Sequence, residues 1–385
     1  QAEDGIRDSV ASRGLGDVYK RQVLDLGITL NFNPEDWGMW EEYRDDVPNK
    51  FTIAMTNEFG DVESTDLVRD GNEYRYHGRL SVSTIQDAEW SFTQPMINFV
   101  PPCNDCRVAF ADLEIRNNIV IGGAYKDKIF VSFISHLTGT FINQWLGVPP
   151  TNKTIYLRTC HCHQITNNKI IKSYILIDTV DFIRQAGYWP IHKSLGAEGM
   201  WPAPITGDGE NNSNLDKELS MKSLHQSLTM QISLGTKPEM EPTFSTDNIR
   251  YNLINDHEQK KYWHPKMMWF GPSGVGTARG LRGFVDHHQL PFRLTFKERD
   301  YNTVGHYVEI GDGNYSMTGG WHSIKSKYGS NHWLGFEPNN VMVEMRVMDF
   351  YLHHEGLIRE NWVPIDIAYI LKQIGVDIFE LIHKK

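Results

Sequence analysis

Apolar and polar residues alternate with the period of a half-buried strand in two well-separated parts of this chain. Residues 154–165 are the clearest run, and Asn167-Asn168 turns them into a second run, 170–177. Residues 341–352 and 357–363 form a matching pair, joined at Glu355-Gly356. Asn and Gly suit such turns because they tolerate positive φ. Shorter strand-like runs, 119–121 and 129–134, lie upstream. Each strand pair leads into a short helical pattern headed by an acid, Asp178 or Asp366, placed to accept the free N–H groups of a first helical turn. Gly187 and Gly375 stand where a helix ends in the left-handed conformation. The stretch 191–245 is rich in Gly, Pro, Asn and Ser and reads as a connector with one helix, 219–234. A further helical stretch runs from about 247 to 262.

The two halves are also related residue by residue. The segment from Trp145 to Gly187 aligns without a gap on Trp333 to Gly375, at a constant offset (333 − 145 = 375 − 187 = 188), and 11 of 43 pairs are identical. A repeat of that length is a domain-sized unit. Upstream, Thr138-Gly139 aligns on Thr318-Gly319 at an offset of 180, so eight extra residues are expected in the second half as a longer loop near 323–330. The expected division is 23–190 as a first unit, 191–245 as a linker and 246–385 as a second. Residues 1–22 resemble the translated adapter scar of environmental sequence assemblies, so the native start is expected to be missing.

At 385 residues, two such units are each large enough to bury a core. A net charge of −10 without a basic stretch argues against nucleic acid or an anionic membrane as partner. Four cysteines do not make a disulfide scaffold. A cytoplasmic location is therefore the default, with secretion left open by the missing start.

In the second half, Trp263-His264-Pro265, Trp269, Gly271-Pro272-Ser273-Gly274, Gly280, Phe284 and Pro291, then the run from Gly356 to Asp366 and Leu371-Lys372-Gln373-Ile374-Gly375, resemble the opening and closing motifs of the SnoaL-like polyketide cyclases. These belong to the nuclear transport factor two-like (ketosteroid isomerase-like) superfamily. Leu146 to Lys153 with Asn168-Lys169-Ile170, Tyr174, Asp178, Gln185 and Gly187 resemble the same close in the first half. Lys172, Tyr174 and Asn339-Asn340 depart from the pattern. The resemblance implies an α+β fold: two tandem cone-shaped domains, each a curved mixed sheet wrapped around helices over an apolar pocket. It also implies a covalent pseudo-dimer open to further homo-oligomerisation. Its chemistry would be proton transfer next to a carbonyl of a small apolar molecule, as in a cyclase, isomerase or related hydrolase, by an Asp and without a cofactor.

Asp366 and Asp178 are the candidate acid/base residues, because a carboxyl at the rim of an apolar pocket is pushed toward neutrality by lost solvation. The other reading is that both only cap helices. On an extended strand, Asp349, Tyr351 and His353 share one face, and His161 and His163 hold the positions of Asp349 and Tyr351 in the first half. With Trp362, Trp269, His288 and Tyr174 they are candidates to line a pocket. His264, His287 and His306 make the second half His-rich without a ligand spacing. Cys103, Cys106, Cys160 and Cys162 offer a rival reading, a zinc-stabilised domain, against buried free thiols. A third reading is a non-catalytic module that binds a small molecule or serves structure.

Overall fold

The structure, a computed structural model, describes residues 109–110, 112–166, 169–209, 216–235, 259–300, 303–329 and 332–383, together with the backbone of four earlier strands. Residues 1–22, the turn 167–168 and most of the stretch 247–262 lie outside the described residues.

The fold is α+β, mixed sheets with few helices. Strands β1 (Leu30–Phe32), β2 (Lys50–Thr56), β3 (Val62–Asp70) and β4 (Glu73–Tyr76) form one sheet in the order β1-β4-β3-β2. Strands β5 (Glu114–Tyr125), β6 (Lys128–Thr140), β7 (Thr154–Thr166) and β8 (Lys169–Ile177) form an antiparallel meander. The third sheet has seven strands: β9 (Trp263–Phe270), β10 (Thr277–Arg279), β11 (Phe296–Lys297), β12 (His306–Asp312), β13 (Tyr315–Tyr328), β14 (Met342–His354) and β15 (Leu357–Trp362). Its order is β10-β9-β15-β14-β13-β11, with β12 also on β13, and only β9 and β15 run parallel.

Strand periodicity distributes the two faces as alternation requires. Met348, Phe350 and Leu352 point to the meander, where they join Ile121, Ile134, Cys160 and Cys162 in a single buried core. Cys160 Sγ lies 3.1 Å from Met348 Sδ. Each fully buried side chain of this size contributes about 1.5–3 kcal/mol, so this face welds the two sheets. The connector threads the seam. Trp201 Nε1–H donates to the Gly271 carbonyl at 3.0 Å, and Trp362 Nε1–H donates to that of Pro202 at 3.1 Å. Across the same seam the Gly122 N–H donates to Asp312 Oδ2 at 3.0 Å.

The opposite face, carrying Val343, Met345, Val347, Asp349 and Tyr351, is covered by helices. The helix read at 219–234 is present as Lys217–Gly235, longer by two residues at its start and one at its end. It docks through serines: Ser223 Oγ donates to the Gly313 carbonyl at 2.9 Å, and Ser227 Oγ lies 2.8 Å from Ser316 Oγ. A Cβ on Gly311 would fall 2.1 Å from the Ser220 carbonyl oxygen, so glycine there admits the helix. A second cover is one helical run whose turns change type: Gly280–Phe284 is α, Val285–Gln289 is π and Leu290–Thr295 is α again.

The expected loop at 323–330 is a correction. Residues 323–328 belong to β13, and the register shifts between Trp321 and Ile324, so two of the extra residues are taken up as a bulge. A bulge keeps the flanking ladder paired while bending the strand. Gly320 allows it: a Cβ there would fall 2.3 Å from the Ser323 Cα. The two short helices lie where the pattern put them, Thr179–Gln185 capped by Asp178 and Ile367–Gln373 capped by Asp366. Gly187 and Gly375 follow with φ of 94° and 87°.

Candidate functional site

Between the helix-covered face of the third sheet and its two covers lies a cavity of about 1080 Å³. Its walls are mainly apolar, with Met230, Leu234, Trp263, Trp269, Phe284, Phe292, Met345 and Val347 among them. Two carboxyls line it from the strands, Asp349 on β14 and Glu309 on β12, and Glu309 is engaged by His306 Nδ1 at 3.0 Å. Burial pushes the Asp349 pKa up to about 7, against hydrogen bonds from Asn361 and Tyr351 that favour the charged form. Tyr351 is itself held: Gln231 Nε2 donates to its hydroxyl at 2.7 Å and to Thr318 Oγ1 at 2.9 Å. Gln231 Oε1 is buried in the cavity wall with no hydrogen-bond partner. Thr318 faces Asp349 across the ladder. The floor is therefore a hydrogen-bonded row whose carboxyl is poised near neutrality, the condition for giving and taking a proton at pH 7.

His288 closes the cavity from the helical cover. Its ring stacks on Trp269 at 4.1 Å, and burial with the nearby Arg293 and Arg299 pushes its pKa down to about 3. It is thus neutral at pH 7, and its N–H can donate to a ligand oxygen. The π turn that carries it is an insertion of the kind that re-aims side chains at functional sites.

The structure disperses the candidates from the sequence. Asp349, Tyr351, Trp269, His288 and His306 line the cavity. Trp362 and Tyr174 lie in the seam between sheets: Trp362 stacks on Phe270 at 5.2 Å and Tyr174 on Tyr307 at 3.7 Å. His353 shares the face of Asp349 but is locked by Ser227 Oγ at 3.0 Å, Ser316 Oγ at 3.2 Å and Gln226 Oε1 at 3.0 Å. His161 and His163 sit on the meander, where Phe133 stacks on His161 at 4.5 Å and Ser173 Oγ meets His163 Nδ1 at 2.8 Å. His264 meets Glu355 at 3.4 Å, and His287 is not a lining residue.

Asp366 and Asp178 are not lining residues either. Asp366 Oδ1 accepts the Tyr369 N–H at 3.0 Å, and Arg346 Nη1 lies 3.3 Å from Oδ2. Burial raises its pKa, while the Tyr369 N–H and Arg346 oppose this. Asp178 is enclosed: Arg158 Nη2 is 2.5 Å from Oδ2, which also accepts the Ser273 N–H at 2.8 Å, and Oδ1 accepts the Asp181 N–H at 3.0 Å. Burial lifts its pKa and Arg158 works against the lift.

Cys160 and Cys162 are buried thiols of the seam, and Cys103 and Cys106 lie outside the described residues. No cluster of three or more His, Cys, Asp or Glu side chains suited to a metal ion occurs among the described residues. No helix among them is long and apolar enough to cross a membrane.

Sequence reasoning missed Gln231, Asn361, Arg293, Arg299 and Glu309. Gln231 lies on a helix in the connector, with no motif to single it out. Asn361 sits inside the closing motif, one residue before Trp362, and alternation alone would have put it on the face opposite that tryptophan.

No family model matches the chain, and no curated protein does. Solved structures similar to part of it include a SnoaL-like polyketide cyclase from Jannaschia sp. CCS1, at 12% identity over 41% of this chain and 94% of that one, with a TM-score of 0.32. IdmH, a polyketide cyclase from Streptomyces antibioticus, matches at 20% identity over 34% and 96%, with a TM-score of 0.27. An epoxide hydrolase from M. tuberculosis matches at 11% identity over 43% and 98%, with a TM-score of 0.26. At such scores the likeness describes part of the chain and leaves the chemistry to its own residues.

Proposed function

We propose that this chain is an acid/base enzyme acting on a small, largely apolar carbonyl compound, with Asp349 as the proton carrier. The Asp349 carboxylate takes the proton from the carbon beside the carbonyl, and the C–H electron pair moves onto the carbonyl oxygen as an enolate. Neutral His288 can donate a hydrogen bond to that oxygen. The carboxylic acid then returns the proton at another carbon, an isomerisation, or the enolate carbon closes on a second carbonyl, whose oxygen becomes an alkoxide and takes that proton, a cyclisation. The observation that carries this reading is a carboxyl with a pKa of about 7 on the floor of an apolar cavity of about 1080 Å³. The family resemblance points to Asp366, but its place as a helix cap paired with Arg346, off the cavity wall, favours Asp349. The test is deuterium uptake from heavy water beside the carbonyl of a panel of aromatic ketones, read by mass spectrometry. Asp349→Asn should lose the catalysed exchange and Asp366→Asn should keep it. Exchange at the wild-type rate in Asp349→Asn would refute the assignment. Binding without exchange in the wild type would leave a binding module.

The chain is further proposed to be a tandem of two related units docked as a covalent pseudo-dimer. Its support is local and repeated. Asp178 and Asp366 have φ, ψ of −74°, 81° and −75°, 79°. Gln185 Oε1 accepts the Tyr156 N–H and Gln373 Oε1 that of Glu344, each at 2.9 Å. Cys160 and Met348 touch although 188 residues apart, which is the repeat offset itself. Equivalent residues meet in this way only near a two-fold axis.

A further inference from the structure

The cavity draws its floor carboxyl and its two arginines from different elements. Asp349, Tyr351 and Asn361 come from β14 and β15, whereas Arg293 and Arg299 come from the last turns of the helical cover and the segment after β11. Arg299 rests over the Phe292 ring at 5.3 Å, which holds its guanidinium at the cavity. Among the described residues no carboxylate pairs with Arg299. Nearby acids are taken up elsewhere: Glu298 by Lys327 at 3.0 Å, and Glu309, which also lines the cavity, by His306 at 3.0 Å. Arg293 is buried, with Nε on Gln289 Oε1 at 3.2 Å and an Nη on the Leu234 carbonyl. Both guanidiniums act on His288, while Asp349 is governed by burial, Asn361 and Tyr351. The two arginines thus enter from the side of His288, and Asp349 from the strand floor.

We propose that the ligand of this cavity is an anionic amphiphile: a rigid, multi-ring apolar body whose carboxylate meets Arg299 and whose carbonyl lies toward Asp349. A planar guanidinium recognises a carboxylate by paired, charge-assisted hydrogen bonds, and the aromatic walls suit flat rings. The volume of about 1080 Å³ lies at the upper end of small-molecule sites and has room for several fused rings. The position of the carbonyl rests on the acid/base reading above; the anion contact stands without it.

The test is calorimetric titration of the full chain with anthraquinone-2-carboxylate and with its uncharged isostere, anthraquinone-2-carboxamide. The carboxylate should bind about tenfold tighter or more, and raised salt should narrow the difference. Arg299→Gln should abolish the preference, and Arg299→Lys, which keeps the charge but not the fork, should restore part of it. Equal binding of the two ligands to the wild type overturns the inference and leaves the acid/base reading standing. A preference that persists in Arg299→Gln also overturns it, since the anion then binds elsewhere. If neither ligand binds, the inference is overturned, and the acid/base reading is still decided separately by the deuterium exchange of wild type and Asp349→Asn.

Discussion

Asp349→Asn should stabilise the protein at alkaline pH and leave it unchanged in acid. The ordinary carboxyl value is 3.8, and burial raises that of Asp349 to about 7. Below 3.8 the group is protonated in folded and unfolded chains alike, so it contributes no difference. Between 3.8 and about 7 the unfolded chain ionises first, the native state holds more protons, and stability falls as pH rises. Above about 7 both states are charged and the folded one bears the full penalty, at most about 4 kcal/mol. Asp349 faces a cavity that admits water, and screening there lowers the figure to the order of 2 kcal/mol. Asn cannot ionise but keeps the shape and can still meet Tyr351 and Asn361. The variant should therefore match the wild type at pH 4 and exceed it by about 2–4 kcal/mol at pH 8.5. Urea unfolding of both proteins at pH 4, 6 and 8.5 measures this. Asp312, also raised to about 7, is common to both and cancels in the difference. A gap that stays constant with pH would mean that Asp349 titrates normally in the folded state, and the proton-carrier argument would lose its basis. A group kept at such a cost to stability is typical of a working site.

Three further outcomes follow from the geometry. Asp366→Ala should cost about 1 kcal/mol in urea unfolding, the worth of a cap with a partly exposed ion pair, whereas Asp178→Ala should cost about 3 kcal/mol, because buried Arg158 loses its nearer partner and keeps only Asp181 at 3.4 Å. Gly311→Ala should lower stability by about 1–3 kcal/mol, since its Cβ would meet the Ser220 carbonyl and push the Lys217–Gly235 helix off the sheet; hydrogen exchange should rise in that helix. Chains cut between 212 and 213 and co-expressed should co-purify, because the seam around Cys160 and Met348 is a shared core; halves that purify separately would refute the weld.

Local order was legible in the residues themselves. Strand alternation placed Asp349, Tyr351 and His353 on one face, and the pattern of acid, helix and glycine located both short helices with their caps. The Lys217–Gly235 helix was visible as a helix but not as a cavity wall, since its partners on β13 and β14 lie about a hundred residues away. The bulge at Trp321–Ile324 looked like a loop because Ser, Lys and Gly mark loops and edge bulges alike. Asp366 stood out through its motif and its repeat, yet a repeated N-cap needs only its own first turn to explain it. Asp349 showed no comparable mark.

What the chain determines by itself are short-range matters: period, turn and cap, all set by neighbours within a few residues. Which carboxyl loses its water, which arginine meets no carboxylate among the described residues and which histidine is held neutral depend on groups brought together from distant strands and helices. Desolvation and Coulomb forces act through space, so only the tertiary structure decided that Asp349 faces a cavity and that Asp366 does not.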